Sequence, residues 1–423
     1  MILKKYKKTV FCFLGAGALL LAGCGLSSGG SGSSGAVKET MRPEAVRQLV
    51  DADNAHNRTI MFQLPRPTEA FVEYREKGAE KIFSVKASGK EHKGNRNVPD
   101  SFIYTAYLSD LEAGKTYEYR TRTGDTVSSW MTMVMDNGGA FKAIIFPDSQ
   151  SADYSGWEKL AQKAYKDHSD AAFFINMGDL VDNGQDEYQW QTWLGSVKGI
   201  IDKIPLASMM GNHEDYSLDW KNAKPERYLA HFNYPDNGDS DFRNYFYSFD
   251  WGSVHFTVVD TQLNELKEWY PDLYERETKW LRDDLSRTNK KWKVVLMHKD
   301  PFQYAFSQRE GREEGFSEEG KIFMPVYDEY GVDLVLSAHL HTYRDRGRVT
   351  GFERSENGPY YIITGVAGDV RYPGLWKAHG LDVYYAPQPE TDNYLTMDAD
   401  ENELVITGYS SDGKEMHKSV IKK

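Results

Sequence analysis

The sequence predicts two joined folds: a small β-sandwich over residues 40–136, then a layered α/β domain over residues 139–423 with mixed β-sheets flanked by helices. Three observations lead there. Short runs rich in β-branched and aromatic residues crowd the first region. The pattern changes at Asp136-Asn137-Gly138-Gly139. Apolar strands then alternate with helical stretches.

The short runs are TIMFQL, AFVEYRE, KIFSVKAS, FIYTAYLS, KTYEYRTR and WMTMVM, separated by turns such as Glu112-Ala113-Gly114 and Gly124-Asp125. Alternation along several short strands suits two small antiparallel sheets packed face to face. SDLEAGKTYEYRTR resembles the late-strand region of a fibronectin type III-like domain, where a Leu precedes a turn and a Tyr-x-Tyr strand. No chemistry is visible in this region.

Beyond Gly139, FKAIIF, AAFFINM, PLASMM, SVHFTVV, KVVLM, DLVLS and YYIIT are nearly continuous apolar runs. Such runs are expected of strands covered on both faces. Helices are predicted near Trp157–His168, Glu187–Lys198, Arg276–Ser286 and Ile322–Tyr330, and one late strand at Val405–Tyr409. No internal repeat is present.

The chain opens with Lys4, Lys5, Lys7 and Lys8 ahead of an uncharged run from Val10 to Ala22. That run is short for a bilayer span, and its basic head reads as an export signal over residues 1–23. LAGC, Leu21 to Cys24, resembles a bacterial lipobox, which implies a lipidated Cys24 and an extracytoplasmic protein anchored in the cell envelope. A Gly/Ser tether would follow within residues 24–39. The only other cysteine, Cys12, leaves with the signal, so no disulfide or thiolate site is expected. The net charge of −12 counts against duplex nucleic acid as a partner.

Five polar clusters fall just after apolar strands: Asp148 and Gln150 in FPDSQ; Asp179 and Asp182 in GDLVD; Asn212 and His213 in GNHED; His298 after VVLM; His339 and His341 in SAHLH. In layered α/β folds the carboxyl ends of strands form the usual binding crevice, so residues far apart in sequence converge there. Carboxylates, amide oxygens and imidazoles are ligands for divalent zinc, manganese or iron. Each cluster alone has a plain explanation, a helix cap or a satisfied buried histidine. Their order and strand context together favour one metal site.

The same stretches, with YFYSFDWGSVHFTVVDT and YYIITGVAG, resemble the calcineurin-like metallophosphoesterase superfamily, most closely its purple acid phosphatase-like extracellular members. The resemblance implies a fibronectin-like domain followed by a four-layer α/β sandwich holding two divalent or mixed-valence ions. Asp148 and His341 would hold the first ion, Asp179 would bridge, and Asn212, His298 and His339 would hold the second. It further implies hydrolysis of a small phosphate monoester by metal-bound hydroxide. His213 would assist the leaving group while Asp182 accepts a hydrogen bond from its ring. A phosphodiesterase or nucleotidase with the same site is one alternative, and a non-catalytic module binding cell-wall phosphate or glycan is another.

Two departures from the family pattern matter. Gln150 stands where an imidazole is common and offers only a weaker amide ligand or a hold on bound water. Asp182 occupies the place of the phenolate ligand of purple enzymes, so no purple colour is expected. For the substrate rim the sequence offers Tyr304, Tyr343 and Arg344, with Trp376 as a further rim candidate and Arg309, Arg312 and Arg371 as other possible phosphate contacts.

Overall fold

A computed structural model describes residues 41–423; the expected signal (1–23), Cys24 and the tether (24–39) lie outside the described residues. The first region is a two-sheet sandwich. Ala70–Glu76, Phe83–Lys86, Thr116–Thr123, Thr126–Val127 and Met131–Val134 form one sheet, and Glu44–Leu49, Arg58–Leu64, Ser88–His92 and Ser101–Leu108 face it. KIFSVKAS, expected as one strand, breaks at Ala87. Phe83–Lys86 pairs with Ala70–Glu76, whereas Ser88–His92 pairs with Ser101–Leu108 in the opposite sheet.

The strand Arg58–Leu64 is buried along its whole length, which explains why it does not read as polar on one side. Ile60, Phe62 and Leu64 pack inside the sandwich, while Met61, on the other face, joins the core of the second region. The sandwich is therefore not a bead on a string. Glu44–Leu49, a strand the sequence did not suggest, pairs in parallel with Leu206–Ser208 and fuses both regions into one 10-stranded sheet.

In the second region Phe141–Phe146, Phe173–Asn176 and Leu206–Ser208 run parallel. An 8-stranded sheet lies beside them, with Val254–Val259, Trp292–Met297, Leu334–Ser337 and Tyr360–Gly365 parallel at its centre. Phe173 of the first sheet meets Phe249 and Phe256 of the second at 5.9 and 5.5 Å between ring centroids, so aromatic packing fills the space between sheets. The late strand expected at Val405–Tyr409 lies within Glu403–Ser410, in an antiparallel meander of Asn393–Ala399, Glu403–Ser410 and Glu415–Lys422.

Helices cover the sheets for legible reasons. Ser155–Asp167 buries Trp157, Leu160, Ala161 and Ala164, a single face at helical spacing. Glu318–Tyr330 starts where Ser317 Oγ accepts the Gly320 N–H and stops at Gly331, whose φ of 63° suits only glycine well. Among the described residues no helix is long and apolar enough to cross a membrane.

Two buried polar clusters tie elements together. Glu187 Oε2 takes Arg227 at 2.6 Å, His92 at 2.7 Å and His231 at 3.3 Å, joining the sandwich to two helices of the second region. His255 sits between Asp250 at 2.7 Å and Asp284 at 3.0 Å, joining a strand to the helix Leu273–Arg287. Burial pushes the His255 pKa down, but hydrogen bonds and charges from the two aspartates outweigh it and raise the pKa to about 9.

A group raised in the folded state stabilises fully below its unfolded pKa. That contribution is then lost as pH climbs from about 6.5 to about 9. Unfolding free energy measured by denaturant titration should therefore fall over that window by on the order of 3 kcal/mol. His255→Gln should lower stability at pH 6 and flatten the slope.

Candidate metal centre

Every parallel strand of the two sheets ends on the same side, and the polar residues follow those ends. Asp148 comes two residues after Phe146, Asp179 three after Asn176, Asn212 four after Ser208, His298 directly after Met297, and His339 two after Ser337. Tight turns aim them inward. Gly178 has a φ of 95°, and a Cβ there would lie 2.5 Å from His298 Nδ1; a Cβ on Gly211 would lie 2.1 Å from Asp179 Oδ1. Asp179, His339 and His341 adopt positive φ of 47°, 69° and 51°. Such conformations are costly for these residues and persist where the surroundings fix them.

Two ligand groups result. Ligand atoms of Asp179, His298 and His339 lie within 4.8 Å of one another, as do those of Asp148, Asp179 and His341. Asp179 belongs to both. Its Oδ1 accepts the His213 N–H at 2.9 Å, while Oδ2 stands 3.2 Å from His298 Nε2 without the alignment of a hydrogen bond. Asp148 is fully buried, with both carboxylate oxygens taking the His339 N–H at 3.0 and 2.9 Å.

The imidazoles are oriented by carbonyls. His298 Nδ1 donates to Met177 O at 2.9 Å and His341 Nδ1 to Val370 O at 3.0 Å, which leaves each Nε2 facing the carboxylates. Asn212 donates its amide to the Tyr216 hydroxyl at 3.3 Å, leaving Oδ1 free. Trp376 Nε1 donates to Leu340 O at 2.9 Å and so braces the turn between His339 and His341.

The fit to cations rests on what these atoms lack. Gln150 Oε1, Asp179 Oδ2, Asn212 Oδ1, His298 Nε2 and His339 Nδ1 are buried with no hydrogen-bond partner among the described residues. At about 1–3 kcal/mol each, five such atoms would cost as much as a typical domain's net stability of about 5–15 kcal/mol. Neutral His298 would also point a lone pair at Asp179. Burial pushes the His298 pKa down, yet the adjacent Asp179 charge reverses this and raises it to about 9. A positive charge is wanted at that point, and bound metal ions would meet the need of the Asp179, Asn212, His298 and His339 atoms together. Burial holds His341 down at about 4 and His339 well below its ordinary value, so both are neutral ligands. Asp148 is raised to about 8, first by burial and then by neighbouring Asp179, as befits a carboxylate short of a cation.

Other sequence-derived candidates sit differently. His213 Nδ1 donates to the main-chain carbonyl of Asp182 at 2.6 Å, and the Asp182 carboxylate stands back at 3.6 Å. Gln150 Nε2 lies 3.3 Å from His213 Nε2, so its amide touches that ring. Tyr304, Tyr343 and Arg344 are not on an exposed rim. All three are buried, because Asp382 accepts from Tyr304 at 2.7 Å and pairs with Arg344 at 2.6 Å, while Tyr343 packs in the core. Trp376 is only half-buried, with Phe306 stacked on it. Arg371 pairs with Asp392, and Arg309 and Arg312 lie over Phe306 and Trp376.

A third group, His92, Glu187 and His231, also has ligand atoms within 4.8 Å of one another, but Arg227 already supplies its cation. Glu214 has a role the sequence did not assign. Fully buried, it accepts the N–H groups of Gly211 at 2.7 Å, Asp179 at 3.0 Å and Leu180 at 2.9 Å, clasping two metal-bearing turns. The only signal was its place directly after His213.

Strand-end ligands that share one carboxylate, in layered mixed sheets, define a dinuclear metal centre. The chain belongs to the calcineurin-like phosphoesterase family, whose match covers residues 124–343. Residues 43–135 match the purple acid phosphatase N-terminal domain. Purple acid phosphatase 15 of Arabidopsis thaliana is 28% identical over 206 residues, 48% of this chain and 36% of its own length. Acid phosphatase type 7 of Mus musculus is 24% identical over 323 residues, covering 67% of this chain and 69% of its own. The purple acid phosphatase PPD1 of yellow lupin superposes with a TM-score of 0.74 at 15% identity, over 90% of this chain and 74% of that one. The chain spans well under two thirds of the length of the first plant relatives it matches.

Glu214→Gln puts an NH2 where one carboxyl oxygen accepts buried N–H groups, so it should lower unfolding free energy by about 1–3 kcal/mol through donors left without an acceptor. Equilibrium dialysis should show weakened metal binding in the same variant.

Proposed function

We propose that this chain is a metal-dependent phosphomonoesterase acting outside the cytoplasm, tethered to a membrane by lipid on Cys24. The observation that carries the hydrolase reading is the sharing of Asp179 between two buried ligand groups. When bound, the two ions supply an acidified water as nucleophile and neutralise charge on the phosphoryl oxygens. Asp148 and His341 would hold the first ion, Asn212, His298 and His339 the second, with Asp179 common to both. Similarity to acid phosphatases favours monoesters. The LAGC stretch and the basic, apolar start support export.

His213 is the group placed to serve the leaving oxygen. Its Nδ1 is committed to the Asp182 carbonyl, so Nε2 is the atom that carries or releases a proton toward substrate. Gln150 then positions rather than ligates. Its amide nitrogen faces His213 Nε2 and its oxygen has no partner, so turning the amide over would match either protonation state of the ring.

After loading with manganese, zinc or iron, turnover of p-nitrophenyl phosphate should exceed that of bis(p-nitrophenyl) phosphate at least tenfold, roughly 1.4 kcal/mol of preference. The reverse order would make the protein a diesterase, and no turnover of either with bound metal would make it a binding module. His213→Ala should lower kcat by about 10²–10⁴ on alkyl phosphates. The loss should be smaller on p-nitrophenyl phosphate, whose leaving group needs little protonation, and metal content should be kept. A loss that is equal on both substrates would assign His213 to bracing the loop.

A further inference from the structure

Two exposed aromatic side chains flank the centre, and neither ligand geometry nor core packing accounts for them. Trp220 is 56% exposed and Tyr372 is 42% exposed. Trp220 sits at the tip of a hairpin held by the Tyr216–Asn222 bridge, with Ser217 N–H on Lys221 O at 2.8 Å and Trp220 N–H on Ser217 O at 2.8 Å. Its φ is 62°, a conformation that favours glycine and is an outlier for a bulky residue. The same hairpin carries Tyr216, which fixes Asn212, so the tip is tied to the ligand loop.

The Trp220 ring stands 6.0 Å from the His213 ring, nearly perpendicular, and 6.1 Å from Tyr216. Tyr372 lies against His341, 4.9 Å between centroids. One aromatic thus borders the proposed proton donor and the other borders a proposed ligand. A large exposed side chain kept at an unfavourable backbone angle marks a constraint with a use.

We propose that Trp220 and Tyr372 determine specificity by receiving a flat aromatic group attached at or near the ester oxygen, so that aryl phosphate monoesters are the preferred substrate class. This rests on the phosphomonoesterase reading above. A ring joined to the oxygen that His213 serves would lie beside Trp220, where offset or edge-on contact with an aromatic face is favourable. An aliphatic leaving group gains no such contact.

The test compares kcat/KM for phenyl phosphate and glycerol phosphate in the full chain, and in Trp220→Gly, Trp220→Phe and Tyr372→Ala. Glycine suits the observed φ at 220, so that variant keeps its hairpin. The aryl-to-alkyl ratio should fall at least tenfold in Trp220→Gly and Tyr372→Ala, mainly through KM for phenyl phosphate, with Trp220→Phe restoring most of it. A nucleoside 5′-phosphate, its base farther from phosphorus, should show a smaller fall.

Ratios within twofold of the parent in both variants would overturn the proposal. Binding of phenylphosphonate and methylphosphonate to the metal-loaded protein, followed by titration calorimetry, separates the two readings. Tighter phenylphosphonate binding that is lost in Trp220→Gly upholds the aromatic site even if no ester is hydrolysed. Equal binding of both probes sinks it.

Discussion

Buried electron-rich atoms that cannot satisfy one another set the terms for this structure. Asp148 and Asp179 bring carboxylates into a protein interior beside imidazoles whose other nitrogens are committed to carbonyls. Two lone pairs facing across 3.2 Å, His298 Nε2 and Asp179 Oδ2, repel unless a cation stands with them. The surrounding fold holds this arrangement in place. Glycines admit the close approach of turns, Glu214 clasps the turns of Asp179 and Asn212, and Trp376 braces the turn of His339 and His341.

The two sheets serve the same end. Parallel strands from both deliver their carboxyl ends to one side, and the aromatic layer of Phe173, Phe249 and Phe256 fixes the sheets against each other. The sandwich is part of that frame rather than an appendage. It extends the first sheet through Glu44–Leu49 and is locked by Glu187 with His92, Arg227 and His231. Movement of the sandwich would therefore disturb the strand Leu206–Ser208, whose end carries Asn212.

Much of the layered fold was legible because its parallel strands are continuous apolar runs, and burial on both faces leaves no other reading. The ligands were legible as residue types at strand ends. What stayed hidden depends on tertiary partners. Glu44–Leu49 holds Glu44, Arg47 and Gln48 and does not read as a strand, yet Arg47 is buried because its guanidinium donates to His231 O at 2.6 and 3.0 Å. Tyr304 and Arg344 read as rim residues because one lies in the long charged stretch after His298 and the other just beyond His341. Asp382, nearly forty positions beyond Arg344, satisfies both in the interior. Trp220 and Tyr372 are ordinary aromatics in sequence and become notable only through exposure beside His213 and His341.

The central claim, that Asp179 joins two cation sites into one centre, is tested most directly by titrating metal-free protein with manganese while following paramagnetic resonance. The account predicts that two ions bind per chain and that their spectra show magnetic coupling through a shared ligand. Saturation at one ion, or two ions with independent spectra, would contradict it.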